Sequence, residues 1–143
     1  MAVNVVAQLN FRGETREALT FYQSVFGGEL TLITYEQAQV PTTAAGADDV
    51  MWGQLAAPNG FWIMGYDVPA HTPWSRGDNS FCLSVRGDLP EEITESWDKL
   101  AVGAKIVVPL GRAQWSPLYG ILQDRFEITW ILDIFRDPAD ETD

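Results

Sequence analysis

From Val3 to Phe11, apolar Val5, Ala7, Leu9 and Phe11 alternate with Val6, Gln8 and Asn10, which predicts a strand with one apolar face. Gly13 ends that pattern. From Glu14 the spacing changes: Ala18, Phe21, Tyr22, Val25 and Phe26 recur at intervals of three and four, predicting a helix. Glu14 and Glu17 favour its N-terminus, and Gly27-Gly28 its stop. Strands follow at Glu29–Tyr35, Val50–Ala57 and Phe61–Asp67. Pro58-Asn59-Gly60 is a hairpin turn signal between the last two, because Asn-Gly accepts positive φ. The segment 36–48, with Pro41 and Gly46, reads as a loop, and 34–49 is long enough to cover a cavity mouth.

The same order then returns. After the Pro- and Gly-marked connection 69–77, Ser80–Val85 predicts a strand, and Asp88 with Glu91 resembles a capping box. Ile93, Trp97, Leu100 and Ala101 give the next helix its apolar stripe, which Gly103 ends. Lys105–Leu110, Leu118–Gln123 and Ile128–Phe135 read as three more strands. Strand, helix and three strands therefore occur twice. The expected fold class is α+β: one domain over 1–143, with modules at 1–68 and 78–137, a linker at 69–77 and an acidic tail at 138–143.

Composition narrows what such a fold can do. Twenty acidic residues against nine basic ones give a net charge of −11, which repels nucleic-acid backbones and anionic lipid, and no basic cluster compensates locally. No stretch is long and apolar enough to span a membrane. Neither nucleic acid nor membrane is an expected partner. The single cysteine, Cys82, falls inside the predicted strand Ser80–Val85, so a buried thiol in a reducing, cytoplasmic compartment is expected. Six tryptophans in so short a chain offer packing area, ligand surface or subunit contact. One His and one Cys are too few for an ordinary zinc or non-haem iron site. Asp67, Asp78, Asp124 and Asp133 fall at strand ends or turns, where solvated structural roles are expected of them.

Several runs resemble the vicinal oxygen chelate superfamily, and within it the PhnB-like group of glyoxalase/bleomycin-resistance proteins. The opening run Leu9–Tyr22 (LNFRGETREALTFY), continuing as Gln23–Glu29 (QSVFGGE), is similar to that group's first strand and helix. Asp49–Leu55 (DVMWGQL) is similar to its third strand, and Trp115–Phe126 (WSPLYGILQDRF), leading to Thr129-Trp130, to its late hairpin. The resemblance implies paired βαβββ modules whose curved, mixed but mainly antiparallel sheets surround a central cavity. It also implies a homodimer. Members range from metal-dependent lyases and dioxygenases to metal-free drug-sequestering proteins, so the fold alone names no reaction. The family's metal-ligand positions carry over approximately to Ala7, Met64, Ser80 and Ile131, none of them His or Glu. The group commonly carries His where this chain has Trp52, and Gly where it has Glu127. Its methyltransferase label finds no glycine-rich nucleotide or methyl-donor motif here.

The expected cofactor content is therefore none. Cavity-lining candidates are Leu9, Phe11, Trp52, Gln54, Trp62, Met64, Phe81, Trp115, Tyr119 and Trp130, whose facing a one-residue register slip would invert. Arg12, Arg76, Arg112 and Arg125 are expected to pair with carboxylates or to meet an anionic group. The leading functional expectation is metal-independent binding of a small apolar or aromatic molecule. A metal-independent lyase or isomerase using Tyr119 and Glu127 as acid and base is the alternative, and a dimeric interaction or structural role is a third.

Overall fold

The computed structural model describes residues 3–40 and 46–135. Residues 1–2, 41–45 and 136–143, the last including the expected acidic tail, lie outside the described residues. Two compact units divide the chain, residues 1–75 and 76–143.

The first unit runs β1 (Ala7–Phe11), α1 (Thr15–Phe26), β2 (Glu29–Thr34), β3 (Val50–Ala56) and β4 (Trp62–Asp67). The second repeats the order as β5 (Leu83–Gly87), α2 (Pro90–Leu100), β6 (Lys105–Gly111), β7 (Tyr119–Gln123) and β8 (Thr129–Ile134). Each unit is a four-stranded sheet with one helix, in orders β1-β4-β3-β2 and β5-β8-β7-β6. Within each, the first strand pairs in parallel with the last and the other pairs are antiparallel. The βαβββ modules and their mixed, mainly antiparallel sheets are as the sequence pattern predicts. Among the described residues, no helix is long and apolar enough to cross a membrane.

The strand faces follow from what each helix covers. In the first module Leu9, Phe11, Leu55 and Ile63 are buried on the helix side with Ala18, Leu19 and Tyr22. Leu19 sits so close over β3 that a Cβ on Gly53 would lie 2.7 Å from its Cδ1. The second module repeats this device: a Cβ on Gly120 of β7 would lie 2.8 Å from Trp97 of α2. In both, a glycine in a central strand admits a large helix residue, and this close approach anchors helix to sheet.

Local caps depart from the sequence pattern. Glu14 is the N-cap of α1 but makes no side-chain cap bond; the capping acceptor is Asp67, which ends β4. Asp67 is only 2% exposed. Its Oδ1 accepts from Gly13 N–H (2.9 Å), Thr15 N–H (3.1 Å) and the Thr15 hydroxyl (2.7 Å), and its Oδ2 from Val50 N–H (2.8 Å). The Asp67 carbonyl accepts the Tyr35 phenol at 2.6 Å. One carboxylate therefore joins the start of α1, the start of β3 and the end of β4. Asp124 closes the β7–β8 hairpin similarly: its Oδ1 accepts from Phe126 and Ile128 N–H, and its Oδ2 from the Trp130 indole N–H at 2.8 Å. Asp67, Asp124 and Asp133 are buried rather than solvated, because each carboxylate receives donors directly from protein.

Four further expectations are corrected. The Asp88–Glu91 capping box does not form: Pro90 takes the first helical turn and makes Leu89 the N-cap, without a side-chain cap bond. β5 begins at Leu83, not Ser80, because pairing with β8 begins only at Leu83↔Trp130 and leaves earlier residues without a ladder partner. Cys82 consequently lies outside the strand and is exposed, not buried. β1 likewise begins at Ala7, where its register with Ile63 begins, leaving Val3 and Val5 exposed.

Asp67→Asn is expected to lower the unfolding free energy by about 2–4 kcal/mol, since the amide NH2 would face a backbone donor; chemical denaturation measures it. Tyr35 carries a pH signature. Burial first, then the fields of Tyr66, Asp67 and Asp49, raise its phenol above the ordinary 10.0. The folded state thus holds this proton more tightly than the unfolded chain does. Its contribution is complete below pH 10 and is lost as pH rises through the higher folded value. Tyr35→Phe should be less stable by about 1 kcal/mol at pH 8, and the gap should close above pH 10 in parallel urea titrations.

Candidate functional site

Each sheet has a face turned away from its own helix, and these open faces hold the candidate residues. In the first module Trp52, Gln54, Trp62 and Met64 share the open face, half-buried to exposed, alternating with helix-side Gly53, Leu55, Ile63 and Gly65. The strand register places Thr31, Gln54, Met64 and Gln8 side by side across the four strands. Leu9 and Phe11 take the other face: both are fully buried beneath α1. Their side chains are core, and the register of β1 against β4 is the reason.

The second module divides the same way. Leu83, Val85, Leu122, Trp130 and Leu132 face α2, whereas Ser84, Arg86, Ile121, Gln123, Ile131 and Asp133 alternate onto the open face. Trp130 is 1% exposed and its indole N–H is committed to Asp124, so this tryptophan is also core. A groove of about 560 Å³ lies on the open face, with Phe81, Ile106, Val107, Ile121 and Ile131 as apolar wall and Lys105, Gln123 and Thr129 among its polar groups. That volume suits a small organic ligand.

The resemblance places metal-ligand positions approximately at Ala7, Met64, Ser80 and Ile131. Met64 and Ile131 do sit on open-face rows, but the residue beside Met64 is Gln8 rather than Ala7. Ser80 precedes β5, and the residue paired with Ile131 is Ser84. The side chains at the implied positions and beside them in the register are thus Ala7, Gln8, Met64, Ser80, Ser84 and Ile131. None supplies the imidazole, thiolate or carboxylate that zinc or non-haem iron requires, so the residues present do not fit such a metal. Among the described residues, no group of three or more His, Cys, Asp or Glu side chains converges as a metal site.

Tyr119 and Glu127 are not brought together. Tyr119 begins β7, while Glu127 lies beyond its other end in the turn to β8, so the full strand, about 13 Å, separates them. Tyr119 packs edge-on against Trp115, with ring centroids 5.2 Å apart. Glu127 is exposed with φ +67°, in the left-handed region that favours glycine.

The arginines serve varied partners. Arg12 donates to the Pro69 and Thr72 carbonyls and lies 5.7 Å from the Trp74 ring, tying the connection to β1 rather than pairing with a carboxylate. Arg125 lies over Phe126 at 5.0 Å. The carboxylate pair belongs to Arg86, which periodicity on β5 could have placed on the open face: its Nε and a terminal nitrogen donate to Asp133 at 3.1 and 3.3 Å. Ordinary alternation along β8 similarly separates Ile131 and Asp133 from Trp130 and Leu132.

A doubled βαβββ module with an open, apolar sheet face defines a class of small-molecule-binding folds. The chain belongs to the Glyoxalase/Bleomycin resistance protein/Dioxygenase superfamily, whose family model matches residues 6–132. Protein PA1353 from Pseudomonas aeruginosa is similar in structure, with TM-score 0.85 and 26% identity over 95% of this chain and 100% of that one. A Bacillus cereus PhnB protein, described as a putative 3-demethylubiquinone-9 3-methyltransferase, shares the fold with TM-score 0.77 and 24% identity, over 93% of this chain and 100% of its own. Protein YjdN from Escherichia coli (strain K12) is 23% identical over 137 residues, covering 90% of this chain and 92% of that protein.

Because Glu127 holds a backbone conformation that costs a non-glycine residue about 1–2 kcal/mol, Glu127→Gly should raise the thermal midpoint. Loss of stability on that substitution would show that the side chain stabilises the turn.

Proposed function

We propose that this protein is a PhnB-like member of its superfamily that binds a small apolar or aromatic molecule without a metal, on the open sheet faces. The observation that carries this reading is the groove beside Phe81, Ile121 and Ile131, apolar along its wall and edged by Lys105, Gln123 and Thr129. Burial of a ring against that wall provides the affinity, at about 25 cal/mol per Å² of apolar surface removed from water. The polar edge orients the ligand. On the first module the face carrying Trp52, Trp62 and Met64 offers aromatic and thioether surface of the same character. The residues at the implied metal positions, Ala7, Met64, Ser80 and Ile131, and their register neighbours Gln8 and Ser84 support the metal-independent reading. The runs Leu9–Tyr22 and Trp115–Phe126 support the PhnB-like grouping.

The proposal takes the protein to be a homodimer in the cytoplasm. Val108, exposed on edge strand β6 and outside the groove, would gain cover from a second copy. A reducing compartment suits the exposed Cys82 thiol.

A calorimetric titration with 1-naphthol, on protein first treated exhaustively with chelator, tests the reading. Saturable binding that Ile131→Glu weakens at least tenfold, with the circular dichroism spectrum unchanged, is the expected outcome. Binding that disappears with the chelated metal, or that Ile131→Glu leaves intact, overturns it.

A further inference from the structure

A second cavity, about 500 Å³, lies at the other end of the second module's sheet and shares no residue with the groove just described. Its wall comprises Arg86, Asp133, Ile134 and Phe135 from the ends of β5 and β8, and the segment 112–117 that leads from β6 to β7. We propose that this cavity binds an aromatic carboxylate, with Arg112 holding the carboxylate and Trp115 covering the ring.

Charge decides the first half. The protein as a whole repels anions, with a net charge of −11, so an anion needs a local cation. Arg86 is neutralised by Asp133, which both of its donating nitrogens address, and its guanidinium lies 4.2 Å from the Phe135 ring centroid. Arg112 is exposed in the same wall and makes no ion pair among the described residues. Among the described residues, two arginines and one aspartate leave the cavity one positive charge in excess, which suits a monoanion. The planar guanidinium fork suits a carboxylate in particular.

Exposed rings decide the second half. Trp115 is 70% exposed and Phe135 44%, an unusual cost for large apolar side chains at adjoining points of a polar cavity. Trp115 is nevertheless held in place, edge-on against Tyr119 at 5.2 Å. The segment beneath it is also fixed. Ser116, 4% exposed, shares its hydroxyl hydrogen between the Leu118 and Ile134 carbonyls, at 2.7 and 2.9 Å, and the Ala113 N–H donates to its carbonyl at 2.9 Å. Arg112 and Trp115 therefore flank a turn anchored to the end of β8. A site built this way loses little ordering entropy on binding.

The test is calorimetric titration of the full chain with benzoate, alongside benzamide and inorganic phosphate. Saturable benzoate binding, at least tenfold tighter than either control, is expected. Arg112→Gln and Trp115→Ala should each weaken it at least tenfold, whereas Ile131→Glu in the separate groove should leave it unchanged. Arg112 and Trp115 are exposed, and circular dichroism verifies that both variants fold. Absence of benzoate binding, equal binding of benzamide or phosphate, or indifference to Arg112→Gln overturns the proposal. Benzoate binding lost with Ile131→Glu alone also overturns it, while supporting the groove as the ligand site. Failure of 1-naphthol binding with retention of the benzoate pattern would reject only the groove.

Discussion

The buried carboxylate of Asp67 organises the first module. It accepts the amides that open α1, the Thr15 hydroxyl and the amide that opens β3, while its own backbone carbonyl receives the Tyr35 phenol. A carboxylate has only acceptor sites, and here donors surround it. Left unpaired at this depth, those amides would cost more than the hydrogen bonds return, so the end of β4 must stay against the start of α1. That constraint sets the register of β1 on β4. The register in turn sends Leu9 and Phe11 beneath the helix and Gln8 and Asn10 to the open face.

Asp124 does the corresponding task in the second module by different means. It binds the turn amides of its own hairpin and the Trp130 indole, so Trp130 is locked into the helix-side layer. With Trp130 inward, alternation along β8 leaves Ile131 and Asp133 outward. The groove and the arginine-bearing cavity both follow from that alternation, one around Ile131 and the other around Asp133. Binding surface and core are thus two readings of one strand register. A device for holding structure decides which side chains remain available for chemistry.

Much of the architecture was legible in the chain. The apolar alternation of β1, the three-and-four spacing of α1, the Asn59-Gly60 turn and the recurrence of the strand-helix-strands order are local properties, and local spacing encodes them. The resemblance carried by Leu9–Tyr22 and Trp115–Phe126 added the paired-module topology. The scarcity of histidine and cysteine bounded the metal chemistry before any geometry was known. Strand ends were not legible, because a strand extends only as far as its neighbour pairs. Val3 to Val6 and Ser80 to Cys82 have suitable composition but no ladder partner.

The candidate site divides along the same line. The chain by itself determined that aromatic residues are abundant, that Trp52, Gln54, Trp62 and Met64 fall at alternate positions on two strands, and that imidazole and thiol ligands are scarce. Only the tertiary structure decided that Phe11 and Trp130 are core, that Tyr119 and Glu127 stand at opposite ends of a strand, and that Arg86 pairs with Asp133. Facing depends on which side the helix covers, and capping by Asp67 links residues more than fifty positions apart. Periodicity records neither, since it repeats identically for a face turned inward and the same face turned outward.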